Sequence, residues 1–358
     1  MAYLTSTVLD DLQVTGGQDE ARDGNYGIID FAKASTTKVD YVNSMVITEL
    51  QKMSGAREAD LPVIKDGSVT IGTTPGFANI PINLQETATI AYTAYDVVSG
   101  MRLYPSTFDN NAVAIQNYID ANTKKILRGC ATTAEGIIET VMETRKTTLL
   151  GSTTQVSQGD GTFSFNAGTD VLEINKAAQD DTMFSYLHTL MRANLLGGEY
   201  GIITNTAGLA FNTVDAEKYQ LYQEVYKKWD QAKLPLGLRY ESDQISAGSD
   251  VFQGWLARMG SVGIVNNFPF DFRMGTEVNS KKWSVSNAEL PYIKMRANVF
   301  TNSEAVDATA LVTASDTNAI MTTFEEMMVW FRFYVLYPYN SDLSTRASDI
   351  VKITGLTT

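Results

Sequence analysis

Residues 80–104 read IPINLQETATIAYTAYDVVSGMRLY, and shortly afterwards residues 111–148 read NAVAIQNYIDANTKKILRGCATTAEGIIETVMETRKTT. In the first stretch, apolar and polar residues alternate with a two-residue period, which predicts a strand over Thr87–Val98. In the second stretch, apolar residues recur at helical spacing, which predicts a single helix on the order of 55 Å long. This succession of a long strand and a longer helix decides the fold.

Upstream of this strand, the sequence predicts an extended hairpin over residues 61–104. An Asp-Gly pair and a Pro-Gly pair are tight-turn signals between the strand-like segments Ser68–Gly72 and Phe77–Leu84. A proline inside the second segment favours an edge position. Neither face of the hairpin is uniformly apolar, so it needs a partner surface. The candidate loop residues are Asp66, Gly67, Pro75, Gly76 and Pro81.

The long helix is predicted to be amphipathic. Its apolar stripe includes Cys130, which is expected to be a buried, inert side chain because one cysteine cannot form an intrachain disulfide. Gly129 and Gly136 weaken the helix and could let it bend. The predicted polar face carries Lys124, Lys125, Arg128, Glu135, Glu139 and Arg145.

The remaining segments predict an α+β class, with helices and sheet in separate parts of the chain. Residues 1–34 are predicted to form an extended arm with little core of its own, and residues 151–170 a turn region. Predicted helices start at Ser35 or Thr36 and end near Met53, and cover Asp181–Leu195 and Asp215–Trp229. Further predicted strands are Tyr200–Thr204, Ser261–Phe272, Leu290–Phe300, Thr309–Thr313, Met327–Tyr337 (a central strand, apolar on both faces) and Ile350–Thr354.

Composition narrows the function classes. The 358 residues carry 28 basic and 41 acidic side chains, a net charge of −13, which argues against a free-standing nucleic-acid-binding protein. An acidic wall is nevertheless compatible with enclosing DNA that must later leave. Charged residues make up 19% of the chain, below the roughly 25% of average domains, as suits surfaces that become buried between subunits.

No catalytic constellation stands out. The single histidine, His188, lies at the border of a predicted apolar helix face, and one histidine with one cysteine cannot close a zinc site. The glycines at residues 197–201 precede a strand, the wrong context for phosphate binding. We therefore expect no enzyme, cofactor or metal. The N-terminus does not resemble a signal peptide, and Met327–Tyr337 is too short to cross a bilayer, so no membrane association is expected.

The order of the predicted parts resembles the Hong Kong 97-like capsid fold of tailed double-stranded DNA bacteriophages. The best local matches are residues 80–104 running into the long helix, and Phe331–Asn340. The resemblance implies a major capsid protein and the following division of the chain. Residues 1–59 are the N-terminal arm, 60–105 the E-loop, 106–196 the P-domain with the spine helix, 197–288 the A-domain, and 289–358 the return through the P-domain strands and the end of the A-domain.

The resemblance further implies a protein that assembles with itself, as hexamers and pentamers, into an icosahedral shell. The shell encloses double-stranded DNA without sequence-specific binding, forms in the host cytoplasm and remains in the virion. We expect residues 1–59 to be too few for a fused scaffolding segment, so assembly is expected to use a separate scaffolding protein or none. The resemblance also implies a portal and decoration proteins as partners. Lys65 lies in the loop, but no partner for an isopeptide bond matches, so no cross-link is assigned.

Three other interpretations fit the sequence less well. An encapsulin-type nanocompartment subunit would share the fold and would be distinguished by its cargo. A tail tube or another phage structural protein would be richer in strands and would not need the long helix. An enzyme such as a carbohydrate hydrolase would need two convergent carboxylates in a deep pocket.

Overall fold

A computed structural model describes residues 24–39, 42, 44–52, 58–64, 87–108, 111–148, 163–179, 183, 187, 199–208, 238–246, 248–267, 276–278, 281–307, 322–338 and 349–357. These residues form three α-helices, α1 (Gly27–Ser35), α2 (Ser44–Lys52) and α3 (Ala112–Arg145), and short 3-10 turns at Thr36–Lys38, Pro105–Phe108 and Lys176–Ala178. They also form strands β1 (Glu58–Ile64), β2 (Thr87–Leu103), β3 (Phe163–Asn166), β4 (Val171–Ile174), β5 (Tyr200–Thr204), β6 (Leu238–Glu241), β7 (Phe252–Arg258), β8 (Gly263–Asn267), β9 (Thr276–Val278), β10 (Lys281–Leu290), β11 (Met295–Asp307), β12 (Thr322–Leu336) and β13 (Ile350–Gly355).

The first sheet is antiparallel and has the strand order β1-β2-β12-β11-β10-β9. Strand β12 pairs with β2, with β11 and, near its end, with β8. Between β8 and β11, the Asn266 side chain donates to the Arg332 carbonyl oxygen at 3.0 Å and accepts from the Arg296 amide at 2.9 Å. The prediction of a central strand at Met327–Tyr337 is confirmed, because β12 is buried on both faces along most of its length.

The second sheet is mixed and has the strand order β3-β4-β13-β7-β5-β6. Strands β4 and β13 are parallel, as are β5 and β6, and the other neighbours are antiparallel. The predicted strands at Tyr200–Thr204 and Ile350–Thr354 are confirmed. Strand β3 lies within residues 151–170, which were predicted to form turns only. The chain is thus a mixed helix-and-sheet protein, as its sequence indicates.

Helix α3 confirms the longest sequence prediction. The Asn111 side chain caps its start by accepting from the amides of Val113 at 3.0 Å and Ala114 at 3.3 Å. Its 34 residues span about 50 Å, and one face lies in the largest core, between the first sheet, α1 and part of the second sheet. Cys130 is 1% exposed, as expected.

The predicted polar face of α3 needs one correction. Glu135 is fully buried and does not lie on the solvent-facing side. It occupies the core face between Ala131 and Ile138, which are also fully buried. The other residues predicted for the polar face are exposed or half-buried.

The prediction that residues 1–34 form an extended arm with little core is wrong for the part that the structure describes. Residues Gly27–Ser35 form α1, whose side chains Ile28, Ile29, Phe31 and Ala32 are all 0% exposed. The predicted helix start at Ser35 or Thr36 is likewise wrong, because α1 ends there and α2 begins at Ser44.

Glycines in the surrounding strands make room for α1. A side chain at Gly201 in β5 would collide with the Phe31 ring, which also packs edge-on against Tyr240 with ring centroids 5.6 Å apart. Gly260, with φ +99°, lies against the Lys38 carbonyl and donates its amide to Ser35 Oγ at 2.7 Å. Because Gly201 and Gly260 have no side chains, their backbone can lie close to α1 and the residues that follow it.

One other strand prediction is corrected. The predicted strand Leu290–Phe300 spans the end of β10, a turn at residues 291–294 and the start of β11. Strands β4, β6, β7 and β9 and most of β10 were not predicted, and β1 begins before the predicted hairpin range 61–104. Several predicted elements lie outside the described residues, namely Ser68–Gly72, Phe77–Leu84, Asp215–Trp229, Thr309–Thr313 and most of Asp181–Leu195, which includes His188.

Candidate functional site

The candidate site is the root of the ribbon that β1 and β2 form. The two strands pair from Glu58 opposite Thr93 to Ile64 opposite Thr87. Ile64 and Thr87, the two residues that flank segment 65–86, are paired with each other, as the ends of a hairpin are. The predicted loop residues Asp66, Gly67, Pro75, Gly76 and Pro81 all belong to this segment and lie outside the described residues.

Strand β2 is continuous, and its two halves pack in two different hydrophobic cores. Near the ribbon, Ile90, Tyr92 and Ala94 are buried in a small core with α2, β8 and the end of β12. Further along, the buried positions change to Val97 and Leu103, which face the opposite side of the strand and pack in the core around α3. The ribbon is therefore a direct extension of the central sheet. Strand β2 packs on one face within and next to the ribbon and on its other face further along.

A tyrosine pair, Tyr92 and Tyr337, fastens the ribbon root. The Tyr92 hydroxyl donates to the Tyr337 carbonyl oxygen at 2.8 Å, and the Tyr337 hydroxyl donates to the Ala91 carbonyl oxygen at 3.1 Å. Their ring centroids are 5.1 Å apart in an edge-on arrangement. The guanidinium of Arg145, the last residue of α3, lies 3.5 Å from the Tyr337 ring centroid. Burial raises the pKa of Tyr92, so the hydroxyl remains a hydrogen-bond donor. The end of the long helix is thus fixed to the ribbon root.

Two cross-strand ion pairs occupy the β2–β12 surface opposite α3. Arg332 binds Asp96 through both carboxylate oxygens at 2.7 and 2.9 Å, and the Trp330 indole donates to the same carboxylate at 3.0 Å. Arg102 binds Glu326 at 2.8 Å. Val98 lies between the pairs and is 56% exposed. The charged side chains on either side of the exposed Val98 are thus already paired. Another molecule can cover such a surface without leaving an unpaired buried charge.

The C-terminal end of α3 is also fixed to the second sheet. The Glu143 carboxylate accepts from Lys352 of β13 at 2.9 Å and from Lys146. Burial raises the pKa of Glu143, but these two hydrogen bonds and charges outweigh burial and hold its pKa below the ordinary value. The Thr147 amide donates to the Ile350 carbonyl oxygen at 2.7 Å. Both sheets and the ribbon root therefore meet at one end of α3.

The described residues show no chemistry of a catalytic centre. They contain no group of three or more His, Cys, Asp or Glu side chains that could bind a metal ion. Burial raises the pKa of the Cys130 thiol to about 11, which keeps it protonated and unreactive at neutral pH. Within the same part of the chain, every helix is too short or too polar to span a bilayer.

Comparison with known proteins gives structural similarity without detectable sequence similarity. No protein-family model matches the chain, and no curated protein matches it significantly. A solved structure from Mycobacterium phage Che8 is similar over 88% of this chain and 89% of its own, with 9% identity and a TM-score of 0.44. The capsid structure of cyanophage P-SCSP1u covers 86% of each chain at 10% identity and TM-score 0.43, and a structure from Gordonia phage Cozz covers 87% of each at 11% identity and TM-score 0.42.

Proposed function

We propose that this chain is the major capsid protein of a tailed double-stranded DNA bacteriophage, with a Hong Kong 97-like fold, and that it assembles into an icosahedral shell. The observation that carries this proposal is the ribbon root. A strand of 17 residues, β2, passes from the centre of the first sheet into a two-stranded ribbon and is fastened there to the end of a 34-residue helix. Such a root holds a ribbon in a fixed direction.

The sequence that this ribbon carries suits burial on another subunit. Segment 65–86 has only three charged residues, Lys65, Asp66 and Glu86. A largely uncharged segment gains more from burial than from hydration, and a donated ribbon adds backbone hydrogen bonds to that gain. Its large apolar residues are Val69, Ile71, Phe77, Ile80, Ile82 and Leu84.

Helix α3 supports the proposal as a brace. It packs against the first sheet and α1 along its length and binds the second sheet at its C-terminal end through Glu143 and Lys352. Subunits of a closed shell use the same patches repeatedly, so the angle between these patches must not vary. A helix of about 50 Å that joins both sheets to the ribbon root holds that angle.

In the capsid scheme, the first sheet with α3 corresponds to the P-domain and the second sheet to the A-domain. The sheets do not follow the proposed boundaries at residues 196/197 and 288/289. Strands β3 and β4 belong to the second sheet, whereas β8, β9 and β10 belong to the first. We therefore propose a division by sheets, in which the chain crosses between the two bodies several times.

The composition agrees with a structural shell protein that encloses DNA without binding its sequence. A net charge of −13 disfavours tight adhesion to packed phosphates. We propose self-association as hexamers and pentamers, with a separate scaffolding protein, a portal and decoration proteins as further partners. Assembly in the host cytoplasm and a final place in the virion complete this proposal.

Electron microscopy and sedimentation of the purified protein test the proposal directly. We expect closed shells from the full chain, and a soluble folded subunit that forms no stable shells when residues 66–84 are deleted. As a matched control for length, a full-length variant with Val69, Ile71 and Phe77 changed to serine should also fold and fail to assemble. Normal shells from the deletion variant would refute the role of the ribbon, and a compact monomer from the full chain at high concentration, both alone and together with the scaffolding protein, would refute the function.

The content of the shells separates the proposed function from that of a nanocompartment. Shells isolated from infected cells should contain double-stranded DNA. Shells that enclose a specific protein cargo and no DNA would assign the same fold to a nanocompartment.

A further inference from the structure

A buried carboxyl group lies where three parts of the molecule meet. Glu135 projects from α3 and is 0% exposed. Its Oε1 accepts a hydrogen bond from the Ile28 amide, in the first turn of α1, at 2.9 Å. Its Oε2 has no hydrogen-bond partner of ordinary geometry among the described residues. A buried acid with one satisfied oxygen is costly to ionise, so its presence calls for an explanation.

Titratable groups face Glu135 from every element packed around it. Asp30 approaches from α1 and Glu139 from the next turn of α3, and both are acidic. Tyr26, which precedes α1, lies close to Glu135 and also to Asp243, which follows β6. The Ser242 hydroxyl group also lies near Glu135, and the Thr132 hydroxyl group lies near Tyr26. The charged neighbours that act on this carboxyl group therefore oppose its negative charge.

The balance of these effects favours the neutral acid. Burial is the largest effect and raises the pKa of Glu135 to about 7. The hydrogen bond from the Ile28 amide and the nearby Ser242 hydroxyl group oppose this rise, whereas the charges of Glu139 and Asp30 add to it. An acid whose pKa is higher in the folded state stabilises the fold below its unfolded pKa, ordinarily near 4.5. That stability is lost as the pH rises towards and through about 7.

The hydrogen bond between Glu135 and α1 is made at the start of that helix, so the ionisation of Glu135 acts on the packing of α1 in particular. Residues 24–26, which directly precede α1, contact the segment after β6: the Asn25 amide donates to the Asp243 carboxylate at 2.7 Å, and Tyr26 pairs with Ser242. The buried Glu135, the first turn of α1 and residues 24–26 therefore lie in the same small region.

We propose that Glu135 is a pH-sensitive latch for the N-terminal helix: α1 is seated most firmly while the Glu135 carboxyl group is protonated and opens more readily once it ionises. This regulation goes beyond the proposed function and does not depend on shell formation. It predicts that residues before α1 gain freedom to leave the body at neutral to alkaline pH.

Hydrogen exchange of the full-length unassembled subunit between pH 5 and pH 8 tests the latch. After correction for intrinsic exchange, the opening of peptides covering 24–36 should increase roughly fiftyfold from pH 5 to pH 8. Peptides covering β13 should show no comparable change. In Glu135→Gln, which retains an acceptor for the Ile28 amide, the pH dependence at 24–36 should be lost.

Glu139→Gln is the matched control, because it removes an acid one turn away that does not bind α1; the pH dependence should remain. The same pH dependence in the wild type and Glu135→Gln, or none in the wild type, would overturn the proposal. Should Glu135→Gln fold poorly, NMR titration of the Glu135 side-chain carbon in the wild type decides. A midpoint near 7 supports the latch, and a midpoint near 4.5 rejects it.

Discussion

The N-terminal helix and the β-ribbon both belong to the first third of the chain, but they have opposite relations to the body. Helix α1 is enclosed: Ile28, Ile29 and Phe31 are fully buried between both sheets and α3. In the part of the ribbon that the structure describes, one face of β2 is buried at Ile90 and Tyr92, and the other face is exposed at Thr89 and Ala91. Helix α1 completes the subunit from which it comes, whereas under the proposed function the ribbon is donated to a neighbouring subunit.

This contrast separates folding from assembly. Apolar surface that is buried within the subunit stabilises the subunit itself, whereas under the proposed function the apolar side chains of the ribbon stabilise the complex with another copy. Changes to α1 should therefore lower the free energy of unfolding of the isolated subunit. Changes to the ribbon should leave that quantity nearly unchanged and act on the shell.

The largest expected effect comes from removing α1. Deletion of residues 1–36 should abolish folding, because it empties the space between the two sheets. Deletion of residues 1–23, which stops before the described helix, should leave a folded subunit. Circular dichroism and limited proteolysis measure both outcomes. A folded subunit from the longer deletion would remove the contrast between α1 and the ribbon.

A single substitution in α1 should have a smaller but still large effect. Phe31→Ala leaves a cavity against Gly201 and Tyr240 and should lower the free energy of unfolding by about 3–5 kcal/mol. Urea denaturation of the isolated subunit measures this loss. Val98→Ala is the comparison on the exposed surface of β2, where the side chain is 56% exposed, and should cost less than about 0.5 kcal/mol. Equal losses would contradict the division between body and surface.

A substitution in the tyrosine pair at the ribbon root should lower the free energy of unfolding by about the contribution of one hydrogen bond. Tyr337→Phe removes the hydroxyl that donates to the Ala91 carbonyl and should cost about 1 kcal/mol. We expect faster hydrogen exchange in residues 87–93 and slower shell assembly. Tyr118→Phe makes the same chemical change where the hydroxyl donates to the Arg102 carbonyl at 3.3 Å, away from the root. If both variants assemble at the same reduced rate, the tyrosine pair does not direct the ribbon.

The smallest expected effect is an increase in the stability of the isolated subunit. Nothing lies within 4 Å of a side chain added at Gly136 on the exposed face of α3, so Gly136→Ala should stabilise the isolated subunit by up to about 1 kcal/mol. Gly201→Ala should instead destabilise it, because the added carbon collides with Phe31. Thermal unfolding compares the two. A variant at Gly136 that is more stable alone but assembles poorly would show that a neighbouring subunit covers this helix face.

The sequence predicted the elements whose signal is long and local. Helix α3 was predicted from Asn111 to about Thr148 and is observed from Ala112 to Arg145, because a helical stripe that repeats over many turns is a strong signal. Strand β2 was predicted from its alternation, although its buried face changes sides between Ala94 and Val97. A two-residue period reports that a strand is half-buried but does not report which neighbour covers which face.

Helix α1 was missed because its setting is provided by distant residues. Ile28, Ile29, Phe31 and Ala32 do fit one helical face, but the segment is short and follows glycines at 16, 17 and 24. A helix of nine residues is marginal in isolation, so tertiary contacts with strands far along the chain decide its existence. No local pattern contains those contacts.

Glu135 was assigned to the polar face because of its charge. Its position three residues before Ile138 and four after Ala131 places it between two core residues, and that spacing could have identified it as buried. The ribbon-loop candidates at residues 66, 67, 75, 76 and 81 lie outside the described residues, so their role remains a proposal.

The register between β2 and β12 has a mechanical consequence. Paired positions run without interruption from Leu103 opposite Glu325 to Ala94 opposite Tyr334, and antiparallel hydrogen bonds lie across the strands. A pull along the ribbon axis therefore strains all of these bonds at once, in shear, and does not open them one by one like a zipper. In the proposed shell, internal pressure that pulls on the ribbon would load all of these hydrogen bonds together.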